Sequence, residues 1–301
     1  MQRKFVYLIN PISGVKRKDK LKQEIIHYTT AAGFPFELKD TRADGDYSYL
    51  PGYIVQHNIT DVIICGGDGS VSTVSSYLLN SDVAVGIIPT GSGNGLALAA
   101  RIPYSTKRAL QIIFKGYSAR IDAYRINDKF SCMMCGMGND AQIAHDFALS
   151  KVRGLKTYVR LSAQRYFALK PFRFIIHTVH GESFVHAFFI TISNSNQFGN
   201  YVTIAPRASL NDGLLDVVVV KKMNRLFLPI ALMNQIAGIN RISALHNASN
   251  RKGIVYFQIK ELVIKNLDNA PLHIDGEPQP LTEEINIKTL PDAFRLLQPS
   301  L

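Results

Sequence analysis

The residues of this 301-residue chain whose types and spacing could do chemistry lie in three short glycine-bearing turns: Asn10-Pro11-Ile12-Ser13-Gly14, Gly66-Gly67-Asp68-Gly69-Ser70 and Pro89-Thr90-Gly91-Ser92-Gly93-Asn94-Gly95. Glycine lets the backbone approach a phosphate closely. The N–H groups and positive dipole of a helix start beyond such a turn then favour the anion. One turn of this kind is ordinary loop punctuation. Three of them, each following an apolar run, read together as a phosphate site. None has the spacing of a P-loop or of the dinucleotide G-x-G-x-x-G turn, so the site is of another type.

Two different periods mark the elements that must hold these turns. In the first 120 residues the runs 5–9, 61–65 and 83–88 are nearly continuous in apolar residues, as strands buried on both faces are. Helical patterns at 18–31, 47–57 and 72–79 alternate with them. This order predicts an α/β domain, a parallel sheet flanked by helices. In such an open sheet ligands bind at the carboxyl ends of the strands, where all three turns fall. After about residue 121 the runs 172–179, 184–193, 214–220, 259–265 and 285–288 are rich in β-branched and aromatic residues, interrupted by helical patterns at 141–150, 157–169 and 226–239. This half reads as a β-rich domain, a sandwich or flattened barrel. There is no internal repeat and no low-complexity segment.

Composition sets the bounds. With 47% hydrophobic and 19% charged residues the chain is not disordered. A balance of 34 Lys+Arg against 23 Asp+Glu, net +11, favours a polyanionic partner: nucleic acid, anionic membrane or phosphorylated substrate. Cys65, Cys132 and Cys135 cannot form a disulfide framework, and the Cys132–Cys135 spacing falls in an apolar stretch, 130–135, that reads as a strand. Buried structural thiols are expected there. The N-terminus offers no secretion signal, and the best candidate for a membrane span, 226–239, has fourteen residues including Pro229, Asn234 and Gln235, where a span needs about 20. The expectation is a cytoplasmic protein whose contact with lipid is peripheral. Segment 151–173 holds seven basic residues and no acidic one, with Tyr158, Tyr166, Phe167 and Phe172 interleaved. It suits an anionic membrane surface or a solvated helix face; no nucleic-acid reading motif accompanies it, and no nucleic-acid partner is expected. His145, Asp146 and His273 have no identifiable third partner and read as structural.

In their order along the chain, Gly66-Gly67-Asp68-Gly69-Ser70 and the turn from Pro89 onward through Leu96 and Ala97 resemble the diacylglycerol-kinase catalytic family of lipid kinases, which includes the sphingosine and ceramide kinases. The resemblance covers nearly the whole chain. Asn10-Pro11-x-Ser13-Gly14 is similar to the family's opening motif, Asp122 to its acidic residue near the domain junction, and Gly136-Met137-Gly138-Asn139-Asp140-Ala141 to its G-x-G-x-D-A element. Asn211-Asp212-Gly213-Leu214-Leu215-Asp216 and Asp275-Gly276-Glu277-Pro278 are similar to its C-terminal motifs. A G-G-D-G turn alone is shared with NAD kinases; the ordered set is far more specific.

The resemblance implies a nucleotide-binding α/β domain over 1–122, to which 292–301 returns, and a β-rich lipid-substrate domain over 123–291, with ATP between them. It implies transfer of the γ-phosphate to a hydroxyl of a membrane lipid of the diacylglycerol or sphingoid type. ATP contacts would come from Asn10, Ser13, Gly14, Thr41, Gly67, Asp68, Gly69, Ser70, Val71, Ser72, Thr73, Gly91, Ser92, Gly93 and Asn94. Asp68 would help hold the catalytic magnesium, directly or through water, unless it only stabilises its turn. Glu277 would be the general base, with Asp275 as its rival, and Asp122 and Asp140 would serve the lipid substrate. A second, structural magnesium would use Ser209, Asp212 and the Leu214 carbonyl. Two departures stand out. Ser70 replaces the usual Thr, and Gly91-Ser92-Gly93-Asn94-Gly95-Leu96 replaces the G-T-x-N-D-F of many bacterial diacylglycerol kinases, which leaves the acceptor lipid open. The rivals are an NAD kinase, disfavoured by the lack of an N-E motif and by Gly91-Ser92-Gly93-Asn94, and an inactive nucleotide-binding regulator, disfavoured by retention of Asp68 and Glu277. The expected partners are the membrane lipid and an anionic membrane surface; oligomeric state is open, a dimer included.

Overall fold

All five side chains of the apolar run Phe5–Ile9 are buried, and this run forms the centre of a parallel sheet. The computed structural model describes residues 2–11, 18–150, 155–197, 203–243 and 253–300. Ser13 and Gly14 lie outside the described residues, as does part of the basic segment, 151–154. The chain divides into two compact units, Met1–Asp122 with Asp292–Leu301, and Ala123–Pro291.

The first unit runs β1 (Phe5–Ile9), α1 (Lys18–Ala31), β2 (Phe36–Asp40), α2 (Leu50–His57), β3 (Asp61–Gly66), α3 (Asp68–Ser75), β4 (Ala84–Pro89), α4 (Gly95–Ala99) and α5 (Thr106–Lys115). Its strands are parallel in the order β2-β1-β3-β4. The register pairs Phe5 with Phe36 and Asp61, and Asp61 with Ala84, so the carboxyl ends of all four strands align. Strand order reverses between β1 and β3, the switch point at which open α/β sheets bind ligands. Two helices differ from their sequence patterns. The third starts at Asp68, four residues before the pattern at 72–79, because Gly67 in an extended conformation supplies its N-cap. The second starts at Leu50 rather than 47, with a proline in its first turn.

The second unit contains β6 (Lys129–Ser131), β7 (Met134–Gly138), α6 (Asn139–Leu149), α7 (Leu155–Tyr166), β8 (Phe172–Thr178), β9 (Gly181–Ser193), β10 (Leu215–Lys221), a 3-10 turn (Arg225–Phe227), α8 (Leu228–Ile236), β11 (Ile254–Ile259), β12 (Glu261–Asn266), β13 (Leu272–Ile274) and β14 (Glu277–Gln279). The chain leaves the first unit within β5 (Ser118–Ile126) and returns within β15 (Glu284–Leu297), whose last residues pair parallel with β4. Pairing in the second unit is antiparallel and centres on β9, which bonds to β7, β8 and β10. Alternate residues of β10 serve two cores. Leu215, Val217 and Val219 join the main cluster with Phe174, Ile190 and Phe257, while Val218 and Val220 join a second with Leu169, Ile204 and Leu228. Burial of both faces explains why this strand reads as an unbroken valine run.

Three strand readings need correction. The stretch 130–135 is not one strand, because a bend at Cys132 and Met133 separates β6 from β7. The run 259–265 is two strands broken at Lys260, and 285–288 is part of a 14-residue strand. All three cysteines are buried thiols. Burial pushes the Cys135 thiol well above its ordinary range, away from the thiolate that redox chemistry needs. Among the described residues no helix is long and apolar enough to cross a membrane.

Candidate functional site

The carboxyl edge of the first unit's sheet is drawn together by backbone bonds between strand ends. Thr41 N–H donates to Ile9 O (2.9 Å), Asn10 N–H to Cys65 O (3.0 Å) and Thr90 N–H to Gly66 O (3.0 Å). Asn10 Nδ2 donates to Ser70 Oγ (2.9 Å), joining the turns after β1 and β3 across the switch point. Gly67 and Gly91 meet backbone to backbone. A Cβ on Gly91 would stand 2.4 Å from Gly67 Cα, so the contact between the second and third turns exists only with glycine there. Asn94, buried at φ +51°, closes the third turn on itself: its Oδ1 accepts from Gly91 N–H (2.8 Å) and its Nδ2 donates to Gly91 O (2.7 Å).

Asp68 opens α3, yet its carboxylate caps a different helix. Its oxygens accept from the N–H groups of Gly95 (3.0 Å) and Leu96 (3.2 Å) at the start of α4. Two otherwise orphaned donors are satisfied, and the second and third turns are tied together once more. The turn-stabilising role is thus present in the structure. A carboxylate oxygen has two lone pairs, so accepting an N–H does not exhaust it. Of the predicted ATP contacts, Val71, Ser72 and Asn94 have buried side chains, whereas Gly69 and Ser92 are exposed. Thr73 Oγ1 donates back to Gly69 O (2.8 Å). Sequence reasoning missed Tyr104, whose hydroxyl donates to Gly93 O (3.1 Å) and braces the third turn.

In the second unit the Asp275-Gly276-Glu277 motif is a β-hairpin. Ile274 pairs with Glu277 across a two-residue turn whose φ angles are +50° and +83°, the left-handed pair that Asp-Gly supplies best. Asp275 is an anchor: its Oδ1 accepts from Ser131 Oγ (2.6 Å) and Met134 N–H (3.1 Å), and its own N–H donates to Met134 O (2.8 Å). Glu277, two residues on, is exposed. Under the turn lies His273, 2% exposed, whose Nδ1 accepts from Gly276 N–H (3.2 Å). An accepting Nδ1 puts the proton of the neutral ring on Nε2, which faces Asp140 Oδ2 at 3.2 Å. Asp140 also accepts from Thr191 Oγ1 (3.3 Å). The sequence identifies no third partner for His145, Asp146 and His273, and the structure supplies a partner for His273. Its partner is Asp140, and Gly136, opposite His273 across β7 and β13, leaves the space: a Cβ there would stand 2.2 Å from Asp140 Oδ2 and 2.4 Å from His273 Nε2.

Other predicted residues take structural positions. Asp122 is buried and its Oδ1 accepts from Asp292 N–H (2.9 Å), anchoring the returning strand. Ser209 Oγ meets Asn211 Oδ1 (3.1 Å), and Asp212 accepts from Leu214 N–H (3.1 Å) and Gln258 Nε2 (3.4 Å) in the turn before β10. The neighbouring Asp216 is buried, which pushes its carboxyl up to about 6, against hydrogen bonds from Tyr256 and Gln258. Among the described residues no three His, Cys, Asp or Glu side chains gather as a metal cluster.

Comparison with known proteins places this geometry. Residues 4–126 match the family described as "Diacylglycerol kinase catalytic domain", and residues 134–298 match "YegS C-terminal NAD kinase beta sandwich-like domain". A protein of Enterobacter sp. strain 638 named "Probable lipid kinase YegS-like" is 27% identical over 299 residues, covering 96% of this chain and 94% of its own. A protein of Bacillus subtilis strain 168 named "Diacylglycerol kinase" is 25% identical over 280 residues, covering 90% and 88%. The fold matches the crystal structure of a diacylglycerol kinase from Bacillus anthracis strain Sterne with a TM-score of 0.74, 18% identity and coverage of 99% and 97%. This chain belongs to the diacylglycerol-kinase family of lipid kinases, with an N-terminal catalytic domain and a YegS-type C-terminal β-sandwich.

Proposed function

We propose that the protein transfers the γ-phosphate of ATP to a hydroxyl of a membrane lipid, of the diacylglycerol or sphingoid type, at a membrane surface. The observation that carries this reading is the welding of the glycine turns at the sheet's switch point through Gly67, Gly91, Asp68 and Asn94. Such a cradle would receive phosphates at the start of α3, where the first N–H groups of a helix have no intrahelical acceptor. Phosphoryl transfer asks mainly for positioning and charge neutralisation, which a preformed cradle provides.

Glu277 takes the proton from the lipid hydroxyl as its oxygen attacks the γ-phosphorus and ADP departs. Asp275 is the weaker candidate because its carboxylate already holds the turn to Ser131 and Met134. The residues present fit a magnesium ion carried in by ATP better than a resident one. Magnesium keeps waters and phosphate oxygens in its shell, no carboxylate cluster is present among the described residues, and Asp68 would meet the ion through a bound water. When bound, the metal supplies neutralisation of the phosphate charge. A second, structural ion would rest on the single carboxylate of Asp212 with Ser209 and the Leu214 carbonyl; no step of the transfer runs through it.

ATP labelled in its γ-phosphate, incubated with a total lipid extract and in parallel with NAD, tests the reading. Label is expected in a lipid product resolved by thin-layer separation. Label in NAD alone would establish the NAD-kinase alternative, and nucleotide binding without transfer to either would establish a regulator.

A further inference from the structure

The surface helix α8 buries a narrow seam and turns most of its large apolar residues to solvent. Leu228 and Gln235, two turns apart, are buried, with Leu232 between them packed partly on the same cluster. Gln235 is fixed in that seam: its Nε2 donates to Ile204 O (2.8 Å) and its Oε1 accepts from Asn240 Nδ2 (2.9 Å). The outward face and the flanking turns carry Leu226, Phe227, Ile230, Met233, Ile236 and Ile239, between 43% and 78% exposed. Arg225 donates to the carbonyls of Phe167 (2.9 Å) and Leu169 (2.8 Å), which brings Phe167, 80% exposed, beside the same face. Single exposed apolar residues need no explanation, but a cluster of this size marks an interaction surface.

Charge identifies the occupant. From 217 to 260 the sequence has seven Lys and Arg and no Asp or Glu, and the residues that flank α8 in the chain, Lys222 and Arg225 before it and Arg241 after it, are exposed. A second copy of this chain docked through a two-fold axis would set this basic rim against itself, with no acidic residue of the segment to pair it. An anionic bilayer accepts both features, apolar side chains at the acyl boundary and cations at the headgroups. The basic segment 151–173 is less suited to that task alone, since its Arg165 pairs with Asp146 and its Arg173 with Asp268.

We infer that α8 and the turn before it are the face by which this protein docks on an anionic lipid bilayer, with Phe227, Ile230 and Met233 entering it. The inference rests on the lipid-kinase reading for the presence of a bilayer, and its test separates the two. The triple variant Leu226→Ser, Ile230→Ser, Met233→Ser and the charge variant Lys222→Glu, Arg241→Glu are compared with wild type in sedimentation with two vesicle types. One is a mixture of phosphatidylglycerol and phosphatidylcholine, the other phosphatidylcholine alone. Wild type should prefer the anionic vesicles, and its binding should weaken with salt as exposed charges are screened. Each variant should bind them about 10-fold or more less tightly, while transfer to lipid dispersed in detergent micelles stays at the wild-type level. Undiminished vesicle binding by both variants overturns the docking face. So does conversion of a wild-type dimer to a monomer by the triple variant, which would assign the face to a second copy. Absence of micellar transfer by wild type overturns the kinase reading instead and leaves the vesicle comparison to decide the docking face.

Discussion

The glycine turns of the first unit and the Asp275-Gly276-Glu277 hairpin of the second hold their working atoms in opposite ways. In the turns, side chains tie the loops together: Asn10 to Ser70, Asp68 to the start of α4, Asn94 to Gly91. In the hairpin the backbone and Asp275 are tied down, a buried His273–Asp140 pair lies beneath, and one side chain, Glu277, is exposed at the tip. The first arrangement is sensitive to space and connection, the second to the identity of a single carboxylate. Nucleotide binding and acceptor chemistry should therefore be separable by substitution.

The largest effect expected of that separation is at Glu277. Glu277→Gln keeps size and hydrogen bonding but removes the proton acceptor, and kcat should fall about 100- to 10,000-fold. Asp275→Asn is the control; a dead Asp275→Asn beside a normal Glu277→Gln, in steady-state turnover, would move the base two residues upstream. Next comes Asp68→Asn. It should cut kcat about 100-fold and, because one N–H of α4 loses its acceptor, lower stability by about 1–2 kcal/mol in urea unfolding. Full stability with full activity would remove Asp68 from both roles. The smallest effect belongs to His273→Gln, since His273 only positions the hairpin from below. A loss of about 10-fold in kcat with KM for ATP unchanged is expected. A rise in KM for ATP instead would show that the second unit's hairpin also shapes the nucleotide site.

Much of this was legible in the sequence, for physical reasons that also explain what was not. The runs at 5–9, 61–65 and 83–88 announce themselves because burial on both faces removes polar residues from a strand. Strand β2 hides because it pairs only with β1 at the sheet edge, and its Glu37, Lys39 and Asp40 break the apolar signal. The bend at Cys132 and Met133 hides for the opposite reason, since both are buried and the apolar run passes through it unbroken. Helix α5 carried usable signals, a Ser105 N-cap and Gly116 at φ +75° beyond its end. The His273–Asp140 pair joins residues 133 apart, brought together by the pairing of β13 with β7, and has no local pattern. Its one trace is Gly136, a glycine whose need only the folded structure reveals.

The division of labour between the two regions is tested most directly by calorimetric titration of MgATP into Glu277→Gln and Asp68→Asn side by side. Glu277→Gln should bind MgATP as wild type does, because in the proposed reading its carboxylate acts only on the acceptor hydroxyl in the transition state. Asp68→Asn should bind more weakly, because the joined turns proposed to receive the phosphates lose a tie. Loss of nucleotide affinity in Glu277→Gln, or unchanged affinity in Asp68→Asn, would contradict the account.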